Sequence, residues 1–264
     1  MPDDKLIIGI IGGAGVKAGV ELMRRIEDKV TGMGAYRDGH HPEIILWQAT
    51  SAPSRSMFLE GRGPSFVGPY VEVARKLKKC GAKILCMSCN TAHAAIRQVE
   101  RAAGIPFIDL LKETALTLRA DFPGKYRVGL LCSQGTADHR LYDACFAKHH
   151  PKAVAVYPDQ RFQALVNRGI CEVKNTSDMS PANKTFRKAV RHLMGKKTDV
   201  IVIACTDISL ALGAKDFESD FLDTTDVLAD SIIRFWLANA NPLFLARRRK
   251  HGRGTYRRQG VNAS

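Results

Sequence analysis

Two short segments hold the residues best suited to chemistry. Residues 89–93 read Cys-Asn-Thr-Ala-His and residues 205–207 read Cys-Thr-Asp, each closely following a short apolar run. A cysteine is a small apolar residue when buried, and a nucleophile or proton-transferring base when its thiolate is stabilised, as it is beside a helix N-terminus. Cys89 and Cys205 both precede residues that read as helix starts, where Asn90, Thr91 and Thr206 add amide and hydroxyl donors to unpaired backbone N–H groups. Such a setting suits a carboxylate. His93, one turn beyond Cys89, either tunes that thiol or caps the packing around it.

The elements that must carry these residues follow from hydrophobic periodicity. KLIIGII, PEIILWQA and AKILCMS read as buried strands, separated by the amphipathic helices VKAGVELMRRIEDKV and VGPYVEVARKLKKCG. The pattern restarts at YRVGLL and runs through PKAVAVYP to VIVIA. Alternation of this kind predicts an α/β fold with parallel sheets. The second half also lies over the first. ILCMSCNT from Ile84 matches VIVIACTD from Val200 at a shift of 116 residues, which sets Cys89 on Cys205; IPFIDL matches SDFLDT, and PEIILW matches PKAVAVY. A repeat this long predicts two similar lobes rather than a solenoid, whose units are about 20 to 50 residues. Ligands of parallel sheets gather at the carboxyl ends of strands. Each lobe is therefore expected to bring one thiol to a shared cleft.

Composition sets the remaining bounds. A chain of 264 residues, 45% hydrophobic, suits one large domain or two small ones. No apolar stretch reaches the roughly 18 residues of a membrane helix. The start MPDDKLIIGIIGGAG has no basic flank or small-residue cleavage site, so the expectation is a soluble, cytoplasmic protein with no membrane partner. The cysteines are odd in number and scattered, and free thiols are expected rather than a disulfide framework. Cys86 and Cys89 spell C-x-x-C, but Cys86 should lie inside a strand and no second pair completes a zinc shell, so no metal site is expected. The glycine turn GGAGVKAG lacks the G-x-G-x-x-G and P-loop spacings and reads as a tight turn that permits close backbone approach. Half of the formal charge of +14 comes from the seven Lys and Arg after Ala246. With no DNA- or RNA-binding motif beside it, that run reads as a solvated tail rather than a nucleic-acid arm.

Taken together, these segments resemble the aspartate/glutamate racemase family of cofactor-independent amino-acid racemases, and more closely its aspartate racemase branch. IGIIGGAG is similar to the family's first strand and glycine turn, CNTAH and ACTDISL to its two cysteine motifs, and LLCSQGT and FLDTTDV to its remaining strand ends. The resemblance runs to about Asn241 and implies two Rossmann-like lobes related by a pseudo-twofold axis. Residues 1–115 would form the first lobe, completed by a returning helix at about 225–241; residues 116–224 the second; and residues 242–264 a basic tail. It implies a homodimer that needs no cofactor and acts on a small amino acid or dicarboxylate.

By the same resemblance, Cys89 and Cys205 are the bases on opposite faces of the substrate's α-carbon, one thiolate removing a proton while the other thiol delivers one. Without pyridoxal phosphate as an electron sink, oriented donors must hold the carboxylate as it becomes enolate-like. Asn90, Thr91 and Thr206 match family positions for that task, joined by Ser133, Thr136 and Gly13 of the glycine turn. Arg55 and Lys174 match the cations that take a side-chain carboxylate, for which a guanidinium fork is well shaped. Asp207 departs from the family's usual Glu, Ala14 and Val16 from its Met and Pro, and QATSA from its loop before Pro53. These changes bear on which side chain is recognised and leave the cysteine chemistry intact. Three other readings stand beside this one: a dicarboxylate isomerase or decarboxylase using the same cleft, a binder of nucleic acid or anionic surfaces through the tail, and a thiol redox protein using Cys86 and Cys89.

Overall fold

The computed structural model describes residues 6–213, 216–217 and 219–240; the expected tail at 242–264 lies outside the described residues. Strands β1 (Ile7–Gly12), β2 (Glu43–Gln48) and β3 (Ala82–Met87) form one parallel sheet in the order β2-β1-β3. A second parallel sheet follows the order β5-β4-β6-β7, from β4 (Arg127–Cys132), β5 (Val154–Val156), β6 (Val200–Ala204) and β7 (Phe221–Asp223). The two orders correspond, with β3 in the place of β6. Where β7 pairs with β6, the first sheet has a single parallel bridge from Phe107 to Leu85. An aspartate follows at both places and caps a helix: Asp109 accepts from the Lys112 N–H at 3.2 Å, and Asp223 from the Thr225 N–H at 2.8 Å. The fold is thus the two-lobed Rossmann-like α/β arrangement.

Both faces of each sheet are covered, which is why β6 is buried along its whole length and reads Val-Ile-Val-Ile-Ala. The covering helices are α1 (Val16–Gly32), α3 (Val67–Lys79), α4 (Ile96–Ala103), α5 (Leu110–Asp121), α7 (Leu141–His149), α8 (Gln160–Asn175), α9 (Ser180–Gly195) and α10 (Thr224–Ala240), with short α2 (Arg55–Leu59) and α6 (Gln134–Asp138). In α1 the buried residues Ala18, Leu22, Ile26 and Val30 recur every fourth position, while Arg24 pairs with Glu21 and Asp28 on the outer face.

Two helices cross between lobes. α10 packs Val227, Leu228, Ile232 and Trp236 against Ile8 and Ile10 of β1 and Leu22 of α1. Conversely, α5 places Leu111, Ala115 and Leu118 in the core of the second sheet, with Val128, Leu130 and Val202. The division expected between residues 115 and 116 therefore falls inside one continuous helix, whose apolar stripe belongs to the second core. Ion pairs reinforce the exchange: Arg25 of α1 lies 2.7 Å from the buried Asp223 and 3.0 Å from the partly exposed Asp226. Among the described residues, no helix is long and apolar enough to cross a membrane.

Candidate active site

The carboxyl ends of β3 and β6 deliver Cys89 and Cys205 to one cleft of ≈ 390 Å³. Arg55 and Ser56 of α2 line it from the first lobe; Ser133, Asn167, Cys171 and Lys174 line it from the second. The helix expected directly after each thiol is instead a 3-10 turn, Thr91–Ala95 after Cys89 and Ile208–Leu210 after Cys205. The residue next to each thiol bonds across the lobes, and such side-chain bonds compete with a regular helical ladder.

Those bonds knit the cleft floor. The Thr91 hydroxyl oxygen lies 2.8 Å from that of Ser133 and 3.0 Å from that of Thr136, which are themselves 3.2 Å apart. The Thr206 hydroxyl donates to the Ser88 carbonyl at 3.0 Å. The Asn90 carboxamide accepts from the Tyr142 hydroxyl at 2.6 Å and donates to Thr224 Oγ1 at 3.0 Å, and Thr224 donates in turn to the Ile203 carbonyl at 2.8 Å.

Three expected substrate contacts change character here. Thr136 is fully buried behind Ser133 and does not line the cleft. Asn90 lines it, but its oxygen and one N–H are already engaged, which leaves one N–H for a ligand. Gly13 is off the wall: it adopts φ 83°, and a Cβ there would stand 2.6 Å from the Ala49 nitrogen, so backbone crowding demands the glycine while Ala14 faces the cleft.

His93 is buried and committed at both nitrogens. Its Nε2 accepts from the Leu110 N–H at 3.1 Å, so Nδ1 carries the proton and donates to the Cys89 carbonyl at 2.8 Å. Burial holds its pKa below the ordinary histidine value despite nearby Asp109. The ring thus fixes the backbone of the first thiol to the start of α5.

Charge is distributed unequally around the thiols. Burial, and then the negative Asp207, push the Cys205 thiol up to about 12, against the backbone N–H groups of Asp207 and Ile208. Burial also raises Asp207 itself, outweighing Lys174 at 3.3 Å and Arg55 beyond it. Gly15 admits this carboxylate: a Cβ there would stand 2.2 Å from Asp207 Oδ1. Lys174 is opposed by burial but kept above the ordinary lysine value by Asp207 and the thiols. Arg55 donates from Nη1 to the carbonyls of Ala52 and Pro53, at 3.4 and 3.0 Å, and has no ion-pair partner among the described residues. One expected cation is therefore engaged by Asp207, while the other is held only by neutral oxygens.

Cys86 lies within β3, fully buried, and burial drives its thiol far above the ordinary value, so it is inert. All seven cysteines are free. Among the described residues, no group of three His, Cys, Asp or Glu could hold a metal ion. Tyr142 and Thr224, which fix Asn90, escaped sequence reasoning because they lie 52 and 134 residues away from it with no local pattern to mark them.

A family model described as Asp/Glu/Hydantoin racemase matches residues 11–232, a span that includes both thiols. The chain is 22% identical over 233 residues to the broad specificity amino-acid racemase RacX of Bacillus subtilis, covering 88% of this chain and 99% of that one. Among solved structures, Picrophilus torridus aspartate racemase is similar with a TM-score of 0.72 at 23% identity, over 87% of this chain and 93% of that one. PH1733, an aspartate racemase homologue from Pyrococcus horikoshii, is similar with a TM-score of 0.68 at 19% identity, over 88% and 98%. The structural likenesses establish the fold, and the family match over most of the length establishes more: the chain belongs to the Asp/Glu/hydantoin racemase family and is a racemase.

Proposed function

We propose that the protein interconverts L- and D-aspartate, L- and D-glutamate, or both, by a two-thiol reaction that needs no cofactor. The observation that supports this most is the pair of thiols, one from each lobe, lining a single cleft with an uncommitted arginine. The α-carbon lies between the sulfurs. The thiolate on one face takes the α-proton, and the thiol on the other face supplies a proton, so inversion needs no rotation of the substrate. With its thiol pushed up to about 12, Cys205 starts protonated and serves first as the acid, which matches the cleft to the enantiomer whose α-proton faces Cys89.

An amino-acid α-proton is very weakly acidic, so charge developing on the α-carboxylate must be met by fixed donors. One hydroxyl of the Thr91–Ser133 pair and the free N–H of Asn90 supply them, held in place before substrate arrives, while the Thr206 hydroxyl, given to the Ser88 carbonyl, fixes the second thiol's loop. Arg55 takes the side-chain carboxylate. A second reading, a wider range of amino acids, is favoured by one observation: Lys174 already holds Asp207 at 3.3 Å and is less available to a second carboxylate. The Bacillus subtilis relative is named for broad specificity.

Proton NMR in D₂O followed by chiral chromatography tests both readings, using aspartate, glutamate and a set of neutral amino acids. Loss of the α-proton signal with formation of the other enantiomer, fastest for aspartate or glutamate, is the expected result. Faster exchange of neutral amino acids supports the wider reading. Inert folded protein with every amino acid removes both readings and moves the search to dicarboxylates.

A further inference from the structure

Among the buried polar atoms of the described residues that lack a hydrogen-bond partner are the Tyr70 hydroxyl and Nε of Arg55. They belong to one neighbourhood. Tyr70, on α3, is fully buried; its ring meets Phe66 edge to face at 5.2 Å, and Phe66 meets Phe58 of α2 at 5.5 Å. Cys89, Ala52 and Phe58 all pack against this cluster. Arg55 opens α2 and donates to the Ala52 carbonyl, which ties it to the same wall. Burial raises the Tyr70 pKa, the charge of Cys89 raises it further, and Arg55 opposes both, so the phenol lies within electrostatic reach of the two. A buried hydroxyl without a partner is costly and uncommon. Here the missing partners are complementary, because a guanidinium N–H needs an acceptor, a thiolate needs a donor, and a phenol is both.

We propose that Tyr70 is a positioning residue for the first base: its hydroxyl donates to the Cys89 sulfur and accepts from Nε–H of Arg55, joining the thiolate to the guanidinium that holds the substrate. This rests on the reading of Cys89 as a base and Arg55 as a carboxylate holder. Around a neutral thiol, a weak acceptor, both bonds stay open; ionisation of the sulfur closes them. Cys205 and Lys174 also feel the charge of Cys89, and neither carries an O–H donor.

The test is site-resolved alkylation by iodoacetamide across a pH series, read by peptide mass spectrometry on the full chain and on Tyr70→Phe. The expected result is alkylation of Cys89 slowed about tenfold at neutral pH, with its rate profile displaced upward by about one pH unit and Cys205 unchanged. Melting temperature should hold or rise, since an unpartnered hydroxyl is removed. Arg55→Lys keeps the charge but loses Nε–H; it should give part of the same displacement, and the double variant less than the sum. Unchanged Cys89 alkylation in Tyr70→Phe overturns the proposal, as does equal slowing of both thiols with a lowered melting temperature. A protein that racemises no amino acid yet shows the Cys89 displacement refutes the functional reading and leaves the positioning intact.

Discussion

Cys89 and Cys205 occupy the same place in two copies of one strand pattern, yet Cys89 is followed by side chains bonded to backbone or to the other lobe, whereas Cys205 is followed by a buried aspartate. On the first side, Asn90, Thr91 and His93 hold the thiol in position without placing an ion beside it. On the second side, Asp207 sets a negative charge two residues from the sulfur and draws Lys174 to 3.3 Å. Equivalent backbone positions have thus acquired different electrostatics. The proposed two-base reaction needs one sulfur able to give a proton, and burial together with Asp207 favours the protonated form of Cys205.

The comparison can be broken outright at the sulfurs. Cys89→Ala and Cys205→Ala should each lower racemisation by about 10³-fold, measured by polarimetry or chiral chromatography, because the proposed reaction assigns one thiol to each face of the α-carbon. A variant retaining a tenth of the activity would mean that its face is not served by that thiol. Next in size is the contrast between cations. Arg55→Met should lower kcat/KM for an acidic substrate about 100-fold and Lys174→Met only about tenfold, since Lys174 is already engaged. The reverse order would mean that the Lys174–Asp207 pair opens on binding.

Asp207→Asn sharpens the difference between the thiols. Removing a negative neighbour favours the thiolate and so lowers the Cys205 pKa from its position near 12; alkylation of Cys205 at a fixed pH of about 8 should then quicken about tenfold. The smallest effect concerns the first side. His93 is buried neutral with a lowered pKa, so the unfolded chain binds its proton first, and stability from this group is complete above about 6.5 and lost as pH falls below it. His93→Gln should be less stable at pH 7 but lose less on acidification, read as melting temperature between pH 7 and 5.

Much of this was legible before any coordinates. Parallel strands covered on both faces read as continuous apolar runs, and the shift that sets Ile84 on Val200 also pairs the two cysteines. What stayed hidden depends on contacts between distant segments. An apolar stripe marks α5 as packed but does not say against which sheet, and Leu111 and Leu118 join the second. Gly13 and Gly15 read alike in GGAG, but one is required by the Ala49 backbone and the other by the Asp207 carboxylate. The amide of Asn90 looked free because Tyr142 and Thr224 reach it from the other lobe.

Facing thiols, each serving one side of the α-carbon, make a claim that isotope placement can decide. L-aspartate or L-glutamate, whichever is turned over, is incubated with the wild-type chain in D₂O and quenched within the first few per cent of reaction, and both enantiomers are recovered for mass and NMR analysis. Two-base transfer predicts deuterium at the α-carbon of the D-product and protium in the remaining L-substrate, with the mirror result from the D-enantiomer. Deuterium entering recovered substrate as fast as product would contradict it, because a single base would then be exchanging its proton with solvent and returning it to either face.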